Sequence, residues 1–138
     1  MSECGPSIHA STQAGFVFRD LRWSNTARHP TEPRWFLLDL EACVKEGGRP
    51  GSTCGTCWDN DTLVSGCFTY ASDLHLLGKM LSDHASCVGS EDGRAFLCAL
   101  SKPAPSLTAV TACSLLGHEW LKCEGMHCVA AGAQPREF

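Results

Sequence analysis

The stretch that most constrains this chain runs from Gly15 to Asp39, GFVFRDLRWSNTARHPTEPRWFLLD. A short apolar run, Gly15–Phe18, predicts a β-strand, and the polar segment Arg19–Asn25 predicts a loop. A turn around Pro30–Pro33 then leads into a second strand, Trp35–Leu38, which ends on Asp39. The loop carries Asp20 and Asn25, and the second strand delivers another carboxylate. Two strands that converge on an Asp, an Asn and an Asp supply oxygen ligands and a proton acceptor. Hard divalent cations take such oxygens, and Mg²⁺ in phosphate chemistry uses one or two carboxylates together with phosphate oxygens.

The order and spacing of these residues resemble a known pattern. RDLRWSN (Arg19–Asn25) is similar to the catalytic loop of the protein-kinase-like superfamily, H-R-D-L-x-x-x-N, with Phe18 in place of the His. LLDLE (Leu37–Glu41) falls where that family carries D-F-G, with Leu40 for Phe and Glu41 for Gly. The resemblance implies that Asp20 is the base accepting a substrate hydroxyl proton and that Asn25 and Asp39 hold Mg²⁺. It also makes Arg22 an electrostatic helper near the γ-phosphate. Asp39-Leu40-Glu41 further resembles the aminoglycoside and choline phosphotransferase branch, so the resemblance leaves protein and small-molecule acceptors both open.

Two later segments extend the likeness. YASDLHLLGKMLSDH (Tyr70–His84) predicts the clearest helix, because Leu74, Leu77 and Leu81 share a face with Met80, and Ser72 or Asp73 could cap its start. Its S-D-L-H-x-L-G-x-M-L resembles the buried central helix of the kinase C-lobe. There the Asp, here Asp73, accepts hydrogen bonds from the catalytic-loop backbone, and Asp39 and Asp73 are 34 residues apart, close to the family spacing. LTAVTACSLLGHEWL (Leu107–Leu121) resembles the final kinase segment, with Ser106 where an Arg is usual, and predicts a last helix over Leu107–Lys122 capped by Ser106.

Bulk properties bound the rest. The chain has 138 residues, 43% hydrophobic and 19% charged, with a net charge of −4, which predicts one domain of soluble composition. The acidic balance gives no electrostatic footprint for nucleic acid or an anionic membrane, and no apolar run approaches a bilayer span. The first residues lack a basic and apolar leader pattern, so a cytoplasmic or nuclear location is expected. Ten cysteines are then expected to be reduced thiols, with Cys67, Cys98 and Cys113 buried as small hydrophobes.

Between these motifs, residues 1–14 are small and polar, which predicts a poorly ordered segment. Glu41–Asp61, rich in Gly and Pro, predicts a long irregular loop that corresponds to an activation segment, with Ser52, Thr53 and Thr56 as phosphosites by location and Arg19 as their partner. Gly89–Gly93 predicts a turn, Arg94–Ser101 a short helix stopped by Pro103 and Pro105, and residues 123–138 an irregular tail. A complete kinase carries a Gly-rich loop and a strand Lys ahead of the catalytic loop. Only 17 residues precede Phe18, and none is Lys, so the resemblance covers a C-terminal lobe without its N-lobe.

The expected fold is therefore mainly α with a small β-ribbon, a truncated protein-kinase-like C-lobe over residues 15–122. The resemblance implies a phosphotransferase fragment, inactive on its own, whose chemistry is transfer from ATP, with Mg²⁺, to a protein Ser/Thr hydroxyl. The catalytic residues are Asp20 and Arg22, the cofactor and metal residues Asn25 and Asp39, and the structural anchors Arg19 and Asp73. Expected partners are a protein substrate or a complementing N-lobe or partner chain, with no nucleic acid and no membrane. Two other readings stand beside it. One is a non-catalytic interaction module. The other is a small zinc-stabilised domain, in which Cys54-Gly-Thr-Cys57 combines with Cys123, His127 and Cys128.

Overall fold

A single helix, α1 (Tyr70–Ser82), organises the packing. The computed structural model describes residues 15–32, 34–51 and 59–122, and the sequence expectations for residues 1–14, 52–58 and 123–138 lie outside these. One side of α1, through Ala71 and Leu74, joins a cluster with Phe96, Leu100, Ala104, Leu107 and Leu115. The adjacent side presents Met80, with Leu76 packed beside it, to Phe18 and Leu21 of the polar loop. Leu77 lies between the two clusters and packs on both. A helix buried on two sides has little room for polar residues, and those it holds inside, such as Asp73 and His75, have bonded partners.

The helix starts at Thr69, which occupies the N-cap position, and the Thr69 N–H donates to Ser72 Oγ at 3.0 Å. Neither expected cap, Ser72 or Asp73, is the N-cap: Thr69 precedes the helix, Ser72 sits at its third position and accepts from the Thr69 N–H, and Asp73 lies inside the first turn. The helix also ends at Ser82, two residues before the expected His84.

The second helix, α2 (Glu91–Leu100), crosses α1 where Gly78 meets Leu100. It begins earlier than Arg94, because Ser90 Oγ accepts the Gly93 N–H at 3.1 Å and caps it. Most of the expected turn at Gly89–Gly93 is therefore helix start. Glu91 and Asp92 in the first turn complement the helix dipole.

The single last helix expected over Leu107–Lys122 is not formed. A 3₁₀ turn spans Ala104–Leu107, α3 covers Ala112–Leu116 and α4 covers Glu119–Lys122. Ser106 lies inside the 3₁₀ turn, and the cap of α3 is Thr111, whose Oγ1 accepts the Ser114 N–H at 3.1 Å. Gly117 then separates α3 from α4. Thr108, Val110 and Thr111 are poor interior helix residues, and hydroxyls that bond nearby backbone favour a cap over a continuous helix.

The β-structure differs from one ribbon. The strands are β1 (Phe16–Val17), β2 (Thr26–Arg28), β3 (Trp35–Leu37) and β4 (Val44–Lys45). They form two separate antiparallel ladders, β1 with β4 and β2 with β3. Strand β1 pairs Val17 with Val44, so a piece of the expected irregular loop after Glu41 is ordered as a 3₁₀ turn (Leu40–Ala42) followed by β4. Beyond β4, the Gly47 N–H donates to Phe68 O and the Phe68 N–H to Gly48 O, both at 2.8 Å, which ties this segment to the entry of α1.

The described cysteines also depart from expectation. Cys98 and Cys113 are exposed and Cys67 is only half-buried. Cys98 lies on a different side of α2 from the buried Phe96, Leu97 and Leu100, so helical phase rather than apolar sequence neighbours decides its exposure.

Candidate active site

The loop between β1 and β2 is pinned to α1 by one carboxylate. Asp73 Oδ2 accepts the Phe18 N–H at 2.8 Å and Asp73 Oδ1 accepts the Arg19 N–H at 2.9 Å. These contacts join residues 55 and 54 positions apart in the chain. Phe18, only 2% exposed, fills the space below the loop against Leu21 and Met80, so the residue standing where the kinase pattern has His is a packing residue. Arg19 extends across the site. Its Nε donates to the Ala42 carbonyl, and its guanidinium lies over the Phe68 ring, 5.0 Å from the centroid.

Burial pushes the Asp73 carboxyl up to about 6, against the lowering effect of the two backbone N–H groups. The folded protein therefore holds a proton on Asp73 more tightly than the unfolded chain does. Between about pH 4 and the folded value the unfolded chain has released its proton while the native state still holds one, so stability falls with rising pH by up to about 3 kcal/mol, and above the folded value the contribution is constant. Stability is expected to fall over this window relative to an Asp73→Asn variant, as urea midpoints at pH 4.5 and 6.5 would show. An equal pH response in the two proteins would contradict the assignment.

Further along the loop the polar groups meet. Asn25, buried within a 3₁₀ turn over Trp23–Asn25, donates Nδ2 hydrogens to Asp20 Oδ2 at 2.7 Å and to the Asp20 carbonyl at 3.0 Å. Both donors of the amide are thereby engaged, and no described residue hydrogen-bonds to Asn25 Oδ1, which is left as an oxygen ligand. Arg22 pairs with Asp20 Oδ2 at 3.0 Å and is largely exposed. Two fixed donors on one oxygen orient the Asp20 carboxylate and leave Oδ1 for a proton.

Asp39 is tied to this loop through the backbone of the neighbouring residue. The Leu38 N–H donates to the Asn25 carbonyl at 2.8 Å, so Asp39 follows directly on the residue paired with Asn25. Its φ of 60° and ψ of 58° lie in the left-handed region, and Arg19 has φ 70°. Among the described residues only one other non-glycine, Ser65, has positive φ. Left-handed backbone at side-chain-bearing residues costs about 1–3 kcal/mol and persists where surrounding contacts impose it, commonly at functional sites.

The outer face of the β2–β3 ladder borders this group. Thr26 pairs with Leu37 and Ala27 with Phe36, so Ala27, Phe36 and Leu38 share the face opposite Leu37, which packs into the core. Phe36 and Leu38 are exposed, with Arg34 over the Phe36 ring. Trp23 packs inward beside the loop. Its Nε1 donates to Met80 O at 2.9 Å, and its ring contacts Trp35 and His84 edge-on.

Sequence reasoning identified Asp20, Arg22, Asn25, Arg19 and Asp73 in one neighbourhood, with Asp39 placed beside them by the ladder. It missed Ala42 and Phe68, which hold Arg19, and the β4 pairing that brings them there; two-residue strands carry no period to read. Among the described residues no three His, Cys, Asp or Glu side chains group to hold a metal. The proposed zinc ligands Cys54, Cys57, Cys123, His127 and Cys128 lie outside the described residues, as do Ser52, Thr53 and Thr56. No described helix is long and apolar enough to cross a membrane. Comparison with protein-family models, curated proteins and solved structures finds no match to this chain.

Proposed function

We propose that the Asp20–Asn25–Asp39 site is a Mg²⁺-nucleotide site of protein-kinase-like phosphoryl transfer, carried on a C-lobe-like helical body. The observation that carries this reading is the double hydrogen bond from the Phe18 and Arg19 N–H groups to Asp73, with the Asn25–Asp20 bond beyond it. Together they hold a proton acceptor and an amide oxygen at fixed positions, and Asp39 follows Leu38, whose N–H is bonded to the Asn25 carbonyl. Phosphoryl transfer demands little covalent work from a protein and depends on such positioning and on charge.

In this reading Asn25 Oδ1 and the Asp39 carboxylate hold the cation, whose chemistry is to neutralise charge on the β- and γ-phosphates of ATP. Asp20 Oδ1 accepts the proton of a protein Ser or Thr hydroxyl. Arg22, held near Asp20, adds positive charge where the transferred group passes. The exposed apolar face of Ala27, Phe36 and Leu38 offers a floor for the nucleobase.

Mn²⁺ tests the cation part, since it takes the same oxygen ligands and is followed by paramagnetic resonance. Saturable binding that weakens at least tenfold in both Asn25→Ala and Asp39→Ala supports the site. Binding indifferent to both substitutions would remove it.

A second reading has its own observation. Phe16, Phe36, Leu38 and Leu40 are all exposed, and Leu40 is 61% accessible. Clustered exposed apolar side chains mark interaction surfaces, here for a complementing lobe or a partner chain. The interaction-module alternative keeps that partner and predicts no nucleotide affinity.

A further inference from the structure

A cleft of about 270 Å³ lies away from the Asp20 loop, against the exposed side of α1 and the end of α2. Its lining is His75, Gly78, Lys79, Ser82, Asp83 and Ser101. We propose that it binds a primary ammonium or guanidinium group.

The argument is one of hydrogen-bond inventory. A serine hydroxyl has one hydrogen and two lone pairs. Ser82 gives its hydrogen to the Gly78 carbonyl and Ser101 gives its own to the Leu97 carbonyl, each at 2.7 Å. The two hydroxyl oxygens then stand 3.4 Å apart, and the shorter carbonyl bonds take both hydrogens. Two acceptors therefore face each other with no donor between them.

His75 adds a third acceptor. Its Nδ1 is 2.7 Å from the Lys102 carbonyl, which can only accept, so Nδ1 bears a hydrogen and the acceptor position of the ring is Nε2. Nε2 is buried and has no partner among the described residues. Asp83 adds a carboxylate, for which no side-chain partner occurs among the described residues. The wall's one cation, Lys79, is already engaged, with Nζ 3.5 Å from Asp59 Oδ2.

A cleft with several acceptors, one unpaired carboxylate and an engaged lysine suits a ligand that brings hydrogens and positive charge together. Ammonium offers three donors and guanidinium five. An anion would find donors only on Lys79, whose charge is shared with Asp59, and would face the Asp83 carboxylate and the two hydroxyl oxygens. The volume accommodates a four-carbon chain with such a head.

The test is a nuclear magnetic resonance titration of the folded chain with n-butylamine and, separately, agmatine. Urea serves as the uncharged analogue and sodium chloride as the ionic-strength control. Expected are saturable shifts of the His75 Nε2 nitrogen and of the Ser82 and Ser101 amides by one or both cations, with butylamine and agmatine distinguishing the two head groups. Asp83→Asn is expected to weaken binding about twofold to fivefold, and Ser101→Ala to weaken it without changing shifts elsewhere. Both positions are exposed, so neither substitution threatens the fold. Asp39→Ala is expected to leave this titration unchanged, which separates the cleft from the cation site of the proposed function. Equal shifts with urea or salt, an unsaturated response to both cations, or affinity untouched by both Asp83→Asn and Ser101→Ala would overturn the proposal.

Discussion

Asp73→Ala is expected to destabilise the protein by about 3–5 kcal/mol and to release the loop from Phe18 to Asn25. Two N–H groups lose their acceptor at once, and Phe18 lies in a site that water does not reach. Each orphaned buried donor costs about 1–3 kcal/mol, and removing the desolvated carboxylate returns only part of that. The Arg19 backbone, at φ 70°, also loses the contact that helps impose its conformation. For a domain stable by about 5–15 kcal/mol, this is a large fraction of the whole. Asp73→Asn keeps one acceptor oxygen but turns an NH₂ toward the other donor, so an intermediate loss of about 1–3 kcal/mol is expected. Denaturant midpoints check the order. An alanine variant as stable as the wild type would show that the carboxylate is not the clamp.

Gly78→Ala is also expected to destabilise the protein, for a different reason. A Cβ at this position would stand 2.4 Å from the Leu100 carbonyl oxygen and 2.8 Å from its carbon. These are backbone atoms of α2 and cannot rotate aside, so the two helices must separate. Overpacking of this kind costs about 1–3 kcal/mol or more, against a helix-propensity gain of about 1 kcal/mol for Ala over Gly. Net destabilisation of up to about 2 kcal/mol is expected by thermal or denaturant melting. Gly89→Ala is the control, since its added Cβ meets nothing within 4 Å and should change stability by less than about 0.5 kcal/mol. Equal effects at the two glycines would contradict the close approach.

These two positions also show what the sequence made legible. Asp73 and Gly78 sit within one amphipathic helix whose leucine spacing is plain, and a long periodic segment is readable because its apolar face must be buried. The polar residues of the Arg19–Asn25 loop were readable for another reason: Asp and Asn at fixed offsets suggest ligand chemistry before any fold is known. The rest depended on tertiary contacts. Strand β4 is two residues long in a Gly-rich and Pro-rich stretch, and its pairing with β1 has no local signal. The break of the C-terminal helix follows from the Thr111–Ser114 cap, which competes with a helix pattern that apolar spacing alone would continue. Cys98 and Cys113 misled because apolar neighbours in sequence are not neighbours on a helix face.

The measurement that bears most directly on the proposed function is calorimetric titration of the folded chain with Mg²⁺-ATP, beside the Asp39→Ala variant. Saturable binding in the wild type that is lost or weakened at least tenfold in Asp39→Ala is the predicted result. Asp39 is exposed, so the variant should remain folded. A folded wild-type chain that takes up no Mg²⁺-ATP, or binds it equally well without the Asp39 carboxylate, would contradict a metal-phosphate site at this loop.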